Sequence, residues 1–216
     1  MTFTKILLFF CRFYLYSVKI YDKIFLGEFV TILTQSKDEK TKLGENKMTN
    51  QRKTVKAVTR AAAIGALYVA LTFISAAAGL SSGAIQVRLS EALCLLPLIM
   101  PEAVAGLTLG CALANFLTGC ALWDIVFGSL ATFIGAMLTR LFRKQFVKMP
   151  FMGTLPTILA NALIIPLVLM FVYGEEGAYL LFFATVGIGE VISAGILGLI
   201  FYKKIFLSSA LSSRLH

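Results

Sequence analysis

Apolar residues dominate this chain in six long blocks, and polar residues gather between them. The blocks run Val55–Leu80, Arg88–Met100, Ala103–Thr118, Asp124–Phe142, Leu155–Tyr173 and Tyr179–Tyr202. A straight helix needs about 20 predominantly apolar residues to cross the hydrocarbon of a bilayer. The second and third blocks are shorter than the rest. Pro97 and Pro101 interrupt the run between them, so the two together can also form one hairpin. The pattern predicts an all-α integral membrane protein, a compact bundle of six transmembrane helices.

Charge gives that bundle an orientation. Arg52, Lys53, Lys56 and Arg60 precede the first block, Arg140, Arg143, Lys144 and Lys148 follow the fourth, and Lys203, Lys204 and Arg214 follow the sixth. The alternate connections hold Asp124, Glu175 and Glu176, with Arg88 the only nearby base. Cytoplasmic loops of membrane proteins are enriched in Lys and Arg, so six crossings with both termini cytoplasmic satisfy every cluster. An odd number would strand one of them. The formal net charge of +9 thus follows topology. A nucleic-acid binder would carry it along one folded face.

The expected organisation is a basic cytoplasmic segment over 48–56, a membrane domain over 57–204 and a cytoplasmic tail over 205–216. Residues 1–47 stand apart. Lys5, Arg12 and Lys19 recur every seven residues among Phe, Tyr, Ile and Leu, as on an amphipathic helix lying in the membrane interface. The polar stretch TQSKDEKTKLGENK follows as a linker. The favoured expectation is simpler: Met48 is the start, and the preceding residues are an over-extended reading frame.

Composition, 58% hydrophobic and 14% charged, leaves few positions for chemistry. The four cysteines show no CxxC spacing and read as small buried hydrophobes. The single histidine is His216, outside the apolar blocks, which removes most hydrolytic and metal-dependent mechanisms.

Glu190, in VGIGEVISAG, lies eleven residues beyond Tyr179, about 16 Å along a helix and so near mid-membrane. An acid there is either a protonated or hydrogen-bonded structural carboxyl or a functional site, and the second reading is favoured. Arg88 and Glu91, one turn apart, either satisfy each other or meet a ligand. Gln86 beside them goes either way. Asn115 is a pocket group or a helix-to-helix hydrogen bond.

Asp124 is an N-cap or a ligand carboxylate, and Trp123 is an interfacial anchor or a stacking surface for a planar heteroaromatic. Glu102, after Pro101, reads as a first-turn acid. Asn161, six residues from the cytoplasmic end of its block, ranks low for an outward-facing pocket. On the first block, RAAAIGALYVAL places Ala62, Ala66 and Ala70 on one helical face, with Ala61 and Gly65 beside it. Such a face packs within the bundle or docks a separate membrane protein.

The stretches IQVRLSEALCLLPLIMPEAVAGLTLGCALANFLTG, DIVFGSLATFIGAMLTRLFRK and VGIGE closely resemble the QueT family, over about Ala57 to Lys204. PEAVAG departs from the proline- and alanine-rich turn associated with that family. QueT proteins are regarded as the queuosine-precursor substrate-binding subunits of energy-coupling-factor (ECF) transporters. The resemblance implies a six-helix subunit of the bacterial cell membrane that captures a deazaguanine outside the cell. It also implies docking onto a transmembrane coupling subunit that carries two cytoplasmic ATPases. Ala62, Ala66 and Ala70 are the implied docking face, and Ser81–Val87 the implied loop over the ligand. Gln86, Arg88, Glu91, Asn115, Trp123, Asp124 and Glu190 are the candidate substrate-binding residues. No cofactor is expected.

The chain contains no GxxxxGK[ST] phosphate loop, so it does not power ATP-driven uptake alone. Two other classes compete. A self-sufficient ion-coupled transporter would use Glu190 as a proton carrier, though no pair of inverted repeats with broken helices is evident. An intramembrane enzyme would have to build its site from Glu91, Asp124 and Glu190, which lie in well-separated segments.

Overall fold

The computed structural model of the chain describes residues 50–80 and 86–207. The expected N-terminal extension over 1–47, residues 208–216 of the expected tail and the 81–85 portion of the expected cover loop lie outside the described residues. Every regular element among the described residues is helical. Helix α1 spans Asn50–Ala77, α2 Ala103–Leu117, α3 Leu122–Leu141, α4 Leu155–Phe171 and α5 Tyr179–Glu190. A π-helix, Val191–Leu197, continues α5 into α6, Gly198–Leu207.

Among the described residues four helices are long and apolar enough to cross a membrane: Thr54–Ala77, Leu122–Leu141, Pro150–Phe171 and Tyr179–Lys204, with mean hydropathies of 1.7, 1.6, 2.0 and 2.0. They carry large exposed apolar side chains, such as Phe127, Leu159, Phe171 and Leu180, as a lipid-facing surface requires. The chain is a multi-pass membrane protein. Its first helix ends on Gly79, whose φ of 68° reaches a conformation that side chains disfavour. Leu80 N–H then closes back on the Ser75 carbonyl at 2.9 Å, completing a Schellman cap. Gly119 does the same for α2, with Cys120 N–H on Asn115 O at 3.0 Å.

The second apolar block is not a regular helix. It folds as two 3-10 turns, Leu89–Leu93 and Leu96–Leu98. Pro97 and Pro101 withhold the amide donors an α-helix would need. Carbonyls left over are taken by side chains: Arg140 donates to Pro97 O at 3.2 Å and Arg143 to Leu98 O at 2.6 Å. Leu93 to Leu98 are all buried, so this segment is core, surrounded by the other helices. Burial of this kind selects apolar residues as lipid does.

Each long helix packs on its neighbour in the chain, α1 on α2, α2 on α3, α3 on α4 and α4 on α5. The first 3-10 turn touches both α1 and the π-helix and closes the ring. One end of the bundle carries Asp124, Tyr173 and Glu175; the other carries Arg60, Arg140 and Arg143. At the acidic end the Arg88 guanidinium reaches Asn115, while Pro97 and Leu98 meet arginines at the basic end, so the short segment runs the depth of the bundle.

Helices α1 and α2 meet through small residues. A Cβ on Gly106 would lie 2.7 Å from the Ala61 carbonyl, and one on Gly110 2.9 Å from Gly65 Cα. Interhelical contact this close requires glycine. Gly106→Val is therefore expected to lower the thermal unfolding midpoint in detergent, at an overpacking cost of about 1–3 kcal/mol. An unchanged midpoint would show that the two backbones are not in contact. Ala62, Ala66 and Ala70 are exposed, on a different face from this seam. Packing within the bundle uses Ala61 and Gly65 instead.

At the basic end Glu102 departs from its expected role. It makes no side-chain cap to α2 and pairs with Arg60 at 3.0 Å.

Candidate functional site

The acidic end opens into a vestibule of about 340 Å³. Its walls include Gln86, Arg88, Asn115, Thr118, Asp124 and Tyr173. Beneath it lies a smaller chamber of about 20 Å³, lined by Glu91, Thr132, Asn161 and Glu190 among others. Gln86, Arg88 and Ile165 border both spaces and form the boundary between them.

Arg88 stands where the chain is still extended, at φ −103° and ψ 110°, one residue before the first 3-10 turn. Its backbone N–H donates to Ser193 Oγ at 3.1 Å, and the next amide, Leu89 N–H, donates to Ser75 Oγ at 2.8 Å. Two serines from opposite sides thus fix the segment that delivers Arg88. The guanidinium donates to Asn115 Oδ1 at 3.4 Å. Among the described residues it is the only basic group on either wall.

Of the two readings of Arg88 and Glu91, mutual pairing is not what the structure shows: no hydrogen bond or ion pair joins them. Residues three apart face each other only inside a helix, and the helical turn begins after Arg88. Glu91 turns inward instead, is 3% exposed, and accepts a short hydrogen bond from the Tyr68 hydroxyl of α1.

Glu190 ends α5 and is buried. Its Oε1 accepts from Asn161 Nδ2 of α4 at 2.9 Å, while Oε2 has no hydrogen-bond partner among the described residues. A buried carboxylate oxygen without a partner is costly and calls for a reason. Irregular π turns such as the one that follows are frequent at functional sites. Gly189 allows the two walls to touch, since a Cβ there would fall on the Gln86 carbonyl.

Asp124 sits in the first turn of α3, is buried, and does not cap the helix. It accepts from the Tyr173 hydroxyl at 3.0 Å, and the Tyr173 hydroxyl oxygen in turn accepts from Ala121 N–H at 3.2 Å. Tyr173 thereby ties the end of α4 to the start of α3 at the vestibule rim.

Six of the seven candidate residues therefore converge: Gln86, Arg88, Asn115 and Asp124 on the vestibule, and Glu91 and Glu190 on the chamber, with Gln86 and Arg88 on both. Trp123 does not join them. It is 57% exposed, stacks on Phe127 with ring centroids 6.0 Å apart, and lines neither space. Adjacent helix positions point about 100° apart, so burying Asp124 turns Trp123 outward.

Asn161, ranked low from the sequence, is the correction in the other direction. It lies ten residues before Phe171, and Glu190 lies eleven beyond Tyr179. Counted from the turn that joins two antiparallel helices, both are about 15–16 Å deep. Counting from the far end of the block concealed that level.

A family model described as QueT transporter matches residues 58–206. No curated protein and no solved structure matches the chain.

Proposed function

Because the chain belongs to the QueT transporter family, we propose that it is the substrate-capturing subunit of an ECF-type importer and binds a queuosine precursor, a 7-deazaguanine, from outside the cell. The family has a transport role, so the intramembrane enzyme alternative falls away. In this reading the acidic end faces outward. The short buried segment counts as the second crossing and α2 as the third, which gives six crossings and two cytoplasmic termini, in keeping with the positive-inside rule. The membrane domain then occupies 57–204.

The observation that carries the proposal is the vestibule above Glu190. Its 340 Å³ falls in the ordinary range for small-molecule sites, about 300–1,000 Å³. With the chamber beneath, it offers a guanidinium, three side-chain amides and buried carboxylates. A guanine-like base needs that mixture, because its edge presents adjacent N–H donors for a carboxylate and a carbonyl for a donor. Arg88 and Asn115 supply donors to the carbonyl. Asp124 and the Tyr173 hydroxyl at the rim suit an aminomethyl substituent on the five-membered ring. The exposed face of Ala62, Ala66 and Ala70 is available for the coupling subunit, because the bundle does not use it. ATP hydrolysis takes place in the two ATPase partners.

Calorimetric titration of the detergent-purified chain with cyano- and aminomethyl-7-deazaguanine, queuine and guanine tests this directly. One-to-one binding of a deazaguanine, with guanine weaker, is expected. Folded protein that binds none of the four would remove the substrate assignment.

A further inference from the structure

We infer that the chamber beneath the vestibule is a receptor for the exocyclic 2-amino group of the ligand, with Asn161 as the positioning residue that holds Glu190 ready to accept from it. This rests on the guanine-like ligand proposed above and adds the part of the base that is selected and the residues that select it.

Size is the first argument. A chamber of about 20 Å³ is far too small for a fused two-ring base and admits about one water. An amino group projecting from a ring has nearly the bulk of that water. The vestibule holds the rings and the chamber receives the substituent, across the boundary formed by Gln86, Arg88 and Ile165.

The second argument is the state of Glu190. A carboxylate offers about four lone-pair positions, and Asn161 occupies one on Oε1 at 2.9 Å. Oε2 is buried and accepts from nothing among the described residues. An N–H donor entering the chamber supplies what that oxygen lacks. Glu91 also lines the chamber and accepts from Tyr68 through Oε1; of the two carboxyls, only Glu190 has an oxygen that is both buried and unpaired among the described residues.

Asn161 is the third. It is 5% exposed, and among the described residues its Nδ2 is the one side-chain donor to Glu190. Without it the carboxylate would lose the contact that fixes its rotation, and Oε2 would no longer be presented. A ligand lacking the amino group leaves the same oxygen unsatisfied. Sites built to hydrogen-bond a polar group reject analogues without it far more strongly than apolar pockets distinguish one methylene.

The test is a set of paired titrations: aminomethyl-7-deazaguanine against its 2-deamino counterpart, and guanine against hypoxanthine. Each pair is measured on wild type, Asn161→Leu and Asn161→Asp. Wild type is expected to favour the amino-bearing member at least about 30-fold, and Asn161→Leu to cut that preference below about fivefold, mainly by weakening the amino-bearing ligand. Asn161→Asp places two carboxyls side by side, which share a proton as pH falls. Its preference is expected to weaken at high pH and to recover as pH falls. Glu91 and Arg88 face the chamber in wild type and variant alike, so the difference between their pH profiles isolates position 161.

Equal binding of the two members of each pair by wild type would overturn the inference and leave the deazaguanine reading intact. So would an undiminished preference in both folded variants. Binding of guanine over hypoxanthine without any deazaguanine binding would keep the chamber and remove the proposed substrate. Failure of wild type with all four compounds would remove both.

Discussion

Arg88→Ala is expected to weaken deazaguanine binding at least 100-fold, roughly 3 kcal/mol, the usual scale for truncating one member of a buried charged cluster. Arg88 is the only basic side chain among the described residues on either wall of the site, and it faces Glu91, Glu190 and Asp124 across two joined spaces. Its removal deletes a donor to the ligand and also leaves those carboxylates without a countercharge, so the unfolding temperature should fall as well. Arg88→Lys keeps the charge but loses the planar fork, and is expected to fall between wild type and Ala. The measurement is titration alongside thermal unfolding. Folded Arg88→Ala that binds within threefold of wild type would falsify the placement of the ligand beside this residue.

Two glycines only two positions apart should respond in opposite ways. A Cβ at Gly189 would fall on the Gln86 carbonyl, whereas one at Gly187 would meet only Ala162 Cβ, at an ordinary 3.9 Å. Gly189→Val must therefore push away the extended stretch that Ser193 and Ser75 hold in place, and with it the Arg88 side chain. Overpacking of this kind costs about 1–3 kcal/mol in stability. The larger effect is on function, because the boundary between vestibule and chamber is displaced. No measurable binding is expected for Gly189→Val, at least a tenfold loss for Gly189→Ala, and near-normal affinity for Gly187→Ala. Equal behaviour of the two alanine variants would show that α5 does not press on Gln86 as described.

Much of this was legible before any coordinates. Long apolar blocks predict helices because a backbone in hydrocarbon must satisfy its own hydrogen bonds, and four of the six blocks are helices of that kind. The block over Arg88–Met100 folds as buried 3-10 turns. Burial on all sides and insertion in a bilayer both select for apolar residues, and only the prolines hinted at irregular turns. Cys94 and Cys111 are buried, as small hydrophobes are expected to be.

Candidate residues emerged from the sequence by one rule, the cost of polar groups in hydrocarbon, and six of its seven candidates line the two spaces. It failed at Trp123 because an indole is equally at home at the lipid interface. It undervalued Asn161 because depth was counted from the wrong end of its helix.

The sequence by itself determined that the chain is membrane-embedded, where its charged clusters lie, which polar residues are isolated among apolar ones, and which family it resembles. All of these are properties of a single segment or of its composition. The tertiary structure decided the partners. It set Glu91 against Tyr68, Asn161 against Glu190, and Arg88 against Asn115, across separations of 23, 29 and 27 residues. It also decided which small-residue face of α1 is already filled. Periodicity identifies the face a side chain occupies on its own helix. The group it meets depends on the relative depth and rotation of two helices, which close packing between elements sets and no single segment encodes.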